Sequence, residues 1–292
     1  MLDKSAKACE KLIDVVSSGI GILYEPTRIK RKAKAEADAS LIRVKGEIRT
    51  EEERAVAKTF AEKRELRRFK NLDNIIGAAR DYLPDSVSET PVDADWAATF
   101  FNSSHDVSNE QMQELWAKIL AGEVAEPGRY SLKTLEVLKN LRQKDAEIFS
   151  AACKYIAIYH HGLAVPAGLD VMKFIKMKNL DYNEFRLLSD LNLIHFAEHS
   201  YSFEKGKSIL VEYGGQKYEL SLPDKFFVTG GFSLDLPPRL LFSDLTIAGR
   251  ELYKLCDTKP DEEFRHFLVD HWTKQGIIIN KKNNDDSKRV QG

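Results

Sequence analysis

Two side chains near the C-terminal end of the chain have the types and the spacing to act on a phosphodiester. They lie in the segment from Arg265 to His271, with His266 directly after the arginine. A guanidinium can bind two phosphoryl oxygens at once, so Arg265 is suited to stabilising a phosphate under attack. An imidazole can exchange a proton with a ribose 2′-hydroxyl near neutral pH, as His271 could. The pair predicts metal-independent cleavage of RNA as one alternative.

The spacing resembles the Arg-x4–6-His motif of the HEPN ribonucleases, in which a polar residue also follows the arginine. The resemblance implies catalytic roles for Arg265, His266 and His271, in sites that form where two chains meet. The alternative interpretation is structural. In that case the arginine and the two histidines lie on the surface of an amphipathic terminal helix.

Other enzyme signatures are absent from the sequence. There is no GxxxxGK, no GxGxxG after a strand, no GxSxG and no HExxH. The glycine pairs Gly214-Gly215 and Gly230-Gly231 lack the lysine or helix start that phosphate binding requires, so we interpret both as turns. We therefore expect no cofactor and no small-molecule substrate.

Residues that could bind a metal are also sparse. The closest groupings are Cys153 with His160 and His161, and Cys256 with His266 and His271. Neither has the four-ligand spacing of a structural zinc site. We expect no metal, and the alternative is a partial site completed by ligands from distant parts of the sequence.

The sequence predicts that a helix organises the molecule, because the chain lacks proline from Thr27 to Leu83. We predict one long helix over residues 26–83, about 85 Å long at 1.5 Å per residue. Its apolar stripe is thin before Phe69. It then strengthens at Phe69, Leu72, Ile76, Ala79 and Leu83. The C-terminal turns should therefore pack, and the preceding turns should project.

Charge divides sharply along this stretch. Residues 28–70 carry fifteen Lys/Arg against eight Asp/Glu, and residues 71–129 carry three against eleven, although the whole chain sums to −1. The basic residues that could bind a nucleic acid or a partner subunit are Arg28, Lys30, Arg31, Lys32, Lys34, Arg43 and Lys45. Counterion release would favour phosphate binding. However, no aromatic side chains are interleaved for base stacking and acids are mixed in, so a solvated or subunit-facing helix is favoured.

The fold class predicted from these patterns is mainly α. It combines a long N-terminal helix, a central helical bundle and a small α+β winged-helix-like C-terminal module. Ser108 and Ser131 are predicted helix caps, a helix is predicted over Asp145–Tyr159, and a hairpin is predicted around Gly214-Gly215. The predicted segments are an amphipathic helix (1–25), the long helix (26–83), a linker (84–95), a helical core (96–162), the winged-helix-like module (163–256), a C-terminal helix (257–279) and a flexible tail (280–292).

One block of the sequence has a family resemblance. Residues 111–141, QMQELWAKILAGEVAEPGRYSLKTLEVLKNL, resemble the signature of an uncharacterised bacterial family, the domain of unknown function 2806. The runs at 21–37 and 245–253 are similar to flanking features of that family. The resemblance implies a bacterial source and brings no catalytic residues. It also implies membership of an accessory gene pool that includes phage-defence systems.

Composition completes the sequence-based prediction. The three cysteines are far apart and odd in number, which is typical of a reducing compartment. No apolar run is long enough to span a bilayer and no signal peptide is evident, so we expect a cytoplasmic protein. The leading functional prediction is a self-assembling sensor or effector scaffold in anti-phage defence, with RNA or a phage protein as a further partner. The alternatives are a ribonuclease activated by oligomerisation and a winged-helix regulator that binds nucleic acid.

Overall fold

The computed structural model describes residues 2–23, 51–159, 162–195, 199–204, 206–223 and 239–282. These residues form two compact units. The N-terminal unit spans Met1–Gln143 and the C-terminal unit spans Lys144–Gly292. Their boundary falls within the segment 96–162 that the sequence predicts as one helical core.

The N-terminal unit is helical in all of its described regular elements. Its helices are α1 (Leu2–Leu23), α2 (Glu51–Asp81), α3 (Ala94–Ser104), α4 (Glu110–Ala125) and α5 (Leu132–Asn140). Helix α1 packs on α3 and α4, α2 packs on α4, and α3 packs on α5. The centre is aromatic: the ring of Phe100 lies 5.2 Å from that of Trp116 in an edge-on arrangement, and both are fully buried.

Side-chain caps fix where these helices begin. Asp93 accepts a hydrogen bond from the backbone of Trp96, and Ser131 caps α5 as predicted. At α4 the cap is Asn109, whose side chain accepts from the amide of Met112. The predicted cap at that helix, Ser108, instead accepts a hydrogen bond from Asn71. The prediction was therefore one residue off.

The packed face of α2 differs from the apolar stripe that the sequence predicts from Phe69 onward. Asn71, Ile75 and Ala79 are the buried residues of this helix, whereas Phe69 is 69% exposed. Asn71 is buried because its side chain donates to the carbonyl of His105 and accepts from the amide of Gln113. A pattern based on apolar residues alone misses a polar core position, and so the predicted stripe was displaced around the helix.

The C-terminal unit combines helices with a seven-stranded sheet. Its helices are α6 (Gln143–Cys153), α7 (Leu169–Met177), α8 (Tyr182–Asp190), α9 (Ile247–Tyr253) and α10 (Glu262–Lys274). Its strands are β1 (Ala157–Tyr159), β2 (Gly162–Pro166), β3 (His199–Ser202), β4 (Ile209–Tyr213), β5 (Gln216–Ser221), β6 (Arg239–Asp244) and β7 (Ile278–Lys282). The strand order is β3-β6-β2-β1-β4-β5-β7, and every neighbouring pair is antiparallel.

The predicted hairpin is confirmed at β4 and β5. Tyr213 pairs with Gln216 across a two-residue turn, and Gly214 and Gly215 both have positive φ, as a turn of this length requires. Tyr213 is also a fixed point of the core. Its hydroxyl donates to the carbonyl of Lys154 and accepts from the amide of Asp261 just before α10.

The predicted fold class is wrong for the C-terminal half of the chain. The C-terminal half contains a seven-stranded antiparallel sheet rather than a small winged-helix-like module. The helix predicted over 26–83 is described only from Glu51 to Asp81, while α1 ends at Leu23 and residues 24–50 lie outside the described part of the chain. The predicted helix Asp145–Tyr159 ends at Cys153, because its last residues form β1. Strand β7 likewise extends into the predicted tail.

Candidate functional site

The N-terminal turns of α2 are unusually exposed to solvent. Every described side chain from Glu53 to Arg67 is exposed to solvent, although this stretch includes Val56, Phe60 and Leu66. Phe60 is 70% exposed and Leu66 is 69% exposed. Most helical stability in proteins comes from packing of an apolar face. An isolated helix as short as the exposed stretch 53–67 is only marginally stable in water. Within the described part of the chain, this half of α2 therefore lacks the packing that the other half receives from α4.

The exposed apolar residues share one side of the helix. Successive residues are rotated by about 100° around the helix axis. Viewed along this axis, the direction of Val56 lies between those of Phe60 and Leu66, and each of these two is rotated from it by roughly 80° or less. We call Val56, Phe60 and Leu66 the α2 stripe. Phe69 is as exposed as Phe60 but projects from the side of the helix opposite Phe60, since nine residues correspond to about two and a half turns. It lies roughly 60° from Leu66, next to the edge of the stripe. The sequence prediction overlooked the stripe because its members are dispersed in a charged run.

The basic end of this segment is anchored within the N-terminal unit. Nε and one terminal nitrogen of Arg68 donate to the two carboxylate oxygens of Asp106 at 3.0 and 2.9 Å, and Arg67 adds a contact at 3.1 Å. The hydrogen bond from Arg68 is the main reason why the pKa of Asp106 falls to about 2. Part of the charge division predicted to drive assembly is thus satisfied inside one chain.

The run of residues 111–141, which carries the family resemblance, contains a buried charged residue with a structural role. Glu123 is 1% exposed, and its carboxylate accepts hydrogen bonds from the backbone amides of Gly128 at 2.6 Å and Tyr130 at 2.9 Å. The indole of Trp96 donates to the carbonyl of Tyr130 at 2.7 Å. The buried carboxylate therefore holds the turn between α4 and α5. Its oxygens are engaged with this turn rather than open to a substrate.

Arg265 and His266 border one groove of the C-terminal unit. The groove, of about 680 Å³, lies between α10 and β7 and is also lined by Tyr218. Arg265 forms an ion pair with Glu262 on its own helix. The Nδ1 of His266 lies 2.8 Å from the carbonyl oxygen of the same residue.

His271 lies at a different cavity, of about 230 Å³, next to Asp170 and Gln275. Its ring stacks on Phe267 at 5.5 Å, and burial lowers its pKa. Six residues along a helix correspond to a rotation of roughly 120° away from the starting side. The structure therefore brings Arg265 together with His266 and separates both from His271. The catalytic assignment of these three residues stays a prediction.

Helix α8 lies in the segment predicted as a winged-helix-like module, and the acids at its start have local roles. The side chain of Asp181 accepts from the amide of Asn183 at 2.7 Å, and the side chain of Glu184 accepts from the amide of Asp181. The side chain of Asp181 also accepts from the amide of Glu184, which completes a capping box with the bond from Asp181 to Glu184. These two acids are therefore explained by the start of the helix.

Several predictions fall on residues outside the described ranges. They concern the basic residues Arg28, Lys30, Arg31, Lys32, Lys34, Arg43 and Lys45, the pair His160 and His161, and the turn at Gly230-Gly231. Among the residues that are described, no group of three or more His, Cys, Asp or Glu side chains could hold a metal ion. In the same part of the chain, no helix combines the length and apolar character needed to cross a membrane.

Comparison with known proteins gives a class but no activity. Residues 53–162 match the sequence model of a family of unknown function, DUF2806. The family predicted from residues 111–141 is therefore confirmed over this part of the chain, which runs from α2 to β1. No curated protein and no solved structure matches the chain.

Proposed function

We propose that the chain is a self-assembling scaffold and that two copies associate through the α2 stripe. The main support for this proposal is that the described side chains of α2 from Glu53 to Arg67 are all exposed, with Phe60 70% exposed. Burying Val56, Phe60 and Leu66 of both copies would contribute roughly 1.5–3 kcal/mol per side chain before the cost of association is subtracted. We expect a concentration-dependent dimer, with a Kd in roughly the micromolar range.

Charge favours an antiparallel arrangement of the two helices. Glu53, Phe60 and Arg67 follow one another at intervals of seven residues, so they project from the same side of a supercoiled helix. If Phe60 faces Phe60 of the second copy in antiparallel order, each Glu53 faces an Arg67. A parallel arrangement would instead place Glu53 against Glu53 and Arg67 against Arg67, which repel.

This contact supports the scaffold prediction without defining what the scaffold serves. A role as a sensor or effector in anti-phage defence stays a prediction from family resemblance alone. The ribonuclease alternative gains no support from the separation of Arg265 and His271.

The test is a pair of matched substitutions examined by light scattering and sedimentation velocity across roughly 1–100 μM. Phe60→Glu should give a monomer because it places a charge at the centre of the contact. Ala61→Glu, at an exposed position roughly 100° or more around α2 from each member of the stripe, should associate like the wild type. The proposal is wrong if the wild-type chain is monomeric throughout this range, or if both substitutions change association equally.

A further inference from the structure

Two cysteines of the C-terminal unit meet although 103 residues separate them in sequence. Cys153 ends α6 and is buried, whereas Cys256 lies in the turn after α9 and is partly exposed. Their sulfur atoms are 3.4 Å apart. A disulfide requires a separation of about 2.05 Å, so the sulfurs would need to approach by roughly 1.4 Å.

The backbone around Cys256 already holds its side chain near Cys153. The amide of Cys256 donates to the carbonyl of Tyr253 at 3.0 Å, which continues the last turn of α9. On the other side, Cys153 is fixed by the end of α6 and is 3% exposed. The third cysteine, Cys9, belongs to the N-terminal unit.

We propose that Cys153 and Cys256 form a thiol redox site that a hydroperoxide converts to a reversible disulfide. In the first step, the sulfur of Cys256 attacks the peroxide, the O–O bond breaks, and Cys256 sulfenic acid and water form. In the second step, the sulfur of Cys153 attacks that of Cys256. The S–O bond then breaks, and the hydroxyl leaves as a second water with the proton of Cys153. Two thiols and one hydrogen peroxide thus give one disulfide and two waters.

Exposure and hydrogen bonding assign the two roles. Cys256 is the cysteine that solvent reaches, and the thiol of Cys153 donates to its sulfur. This hydrogen bond lowers the pKa of Cys256, while burial is the main factor that raises the pKa of Cys153. Cys256 is therefore the attacking thiolate and Cys153 the resolving thiol.

A bond between these residues would link the end of α6 to the connection between α9 and α10. Because it closes a long loop, it should constrain the unfolded C-terminal unit strongly. We expect oxidation to raise the Tm of this unit by about 10 °C. The site would then report the redox state of the compartment through the stability of the C-terminal unit.

The experiment uses the reduced full chain treated with a small excess of hydrogen peroxide. Free thiols are alkylated after denaturation, and the peptides are mapped by mass spectrometry. We expect a peptide that links Cys153 to Cys256, its loss on addition of dithiothreitol, and an alkylated Cys9. The matched control Cys9→Ser should give the same linked peptide.

Single substitutions at the pair separate the two steps. Cys153→Ser should stop at a sulfenic acid on Cys256, which dimedone traps, and its Tm should not rise on oxidation. Cys256→Ser should yield neither the linked peptide nor a dimedone adduct at Cys153. The proposal is overturned if the oxidised wild-type chain contains no Cys153–Cys256 peptide, or if its disulfides involve Cys9.

Discussion

The guanidinium of Arg68 binds the carboxylate of Asp106 through two hydrogen bonds, at 3.0 and 2.9 Å. Arg68 lies where α2 changes from a fully exposed helix to a packed one, and Asp106 lies in the loop between α3 and α4. The ion pair therefore fixes the point from which the exposed half of α2 projects. Two parallel bonds restrict the orientation of the guanidinium relative to the carboxylate as well as the distance between them.

The first prediction concerns the pH dependence of this pair. The pKa of Asp106 is depressed to about 2, so the stabilisation is present above the usual pKa of about 3.9 and is lost as pH falls towards 2. Asp106→Asn should cost about 0.5–1 kcal/mol at pH 7, a modest value because the carboxylate is partly solvated. The Tm difference from the wild type should shrink as pH falls from 4 to 3.

Thermal unfolding between pH 7 and pH 3 checks this prediction. Asp73→Asn, at an exposed position of α2, is the matched control and should leave Tm within about 1 °C of the wild type. A loss of stability in Asp106→Asn that is equally large at pH 3 and pH 7 would contradict the proposed role of the ionised carboxylate.

The second prediction tests the turn held by Glu123. Glu123→Gln replaces one accepting oxygen by an NH2 group that cannot accept from a backbone amide. We expect a loss of about 2–3 kcal/mol in the free energy of unfolding, measured with urea. Glu126→Gln is the control, because that side chain is 75% exposed and should change stability by less than about 0.5 kcal/mol. Equal effects at the two positions would argue against the buried carboxylate as the organiser of this turn.

Local signals in the sequence predicted local structure well. The glycine pair at 214 and 215 and the cap Ser131 lie where the patterns place them, since each depends on backbone geometry within a few residues. The seven-stranded sheet could not be predicted in this way. Its strands are three to six residues long, and β2 pairs with β6, which follows more than seventy residues later. When two strands pair over such a separation, neither strand carries a local pattern that identifies its partner.

The same distinction applies to the candidate sites. Phe60 and Val56 could have been noticed as apolar residues in a charged run, although only the structure shows that nothing in the described part of the chain covers them. The contact between Cys153 and Cys256 has no sequence signal, because it results from the fold of the whole C-terminal unit. The burial of Glu123 could not be predicted either, because a charged residue is normally expected at the surface. Its burial depends on two backbone amides that follow it by five and seven residues.

The third prediction compares two glycines in helices. A Cβ atom on Gly249 would lie 1.9 Å from the carbonyl oxygen of Leu193, which is backbone and cannot rotate away. Gly249→Ala should therefore cost about 3 kcal/mol or more. Around Gly77 in α2 the space is open, so Gly77→Ala should stabilise by about 0.5–1 kcal/mol because alanine restricts the unfolded chain. Urea unfolding of both variants measures the difference, and changes of the same sign would contradict the close approach at Gly249.

The fourth prediction tests the orientation of the two α2 helices. In the antiparallel arrangement, Glu53→Arg and Arg67→Glu each place like charges against one another at both ends of the contact. Each variant alone should bind itself about tenfold more weakly at low salt. Arg54→Glu, on the side of α2 away from the stripe, should leave the Kd unchanged. In a parallel dimer, positions 53 and 67 face their own copies, so neither single reversal would weaken association.

Mixing the two charge-reversed chains separates contact between copies from effects within one copy. In an antiparallel heterodimer, arginines of the first variant face glutamates of the second at both ends, so the mixture should associate as tightly as the wild type to within about threefold. Lost contacts within a chain, such as that between Arg67 and Asp106, are not restored by mixing. Sedimentation of each variant alone and of the equimolar mixture provides the measurement. A mixture no tighter than its components would show that Glu53 and Arg67 do not face each other across the dimer.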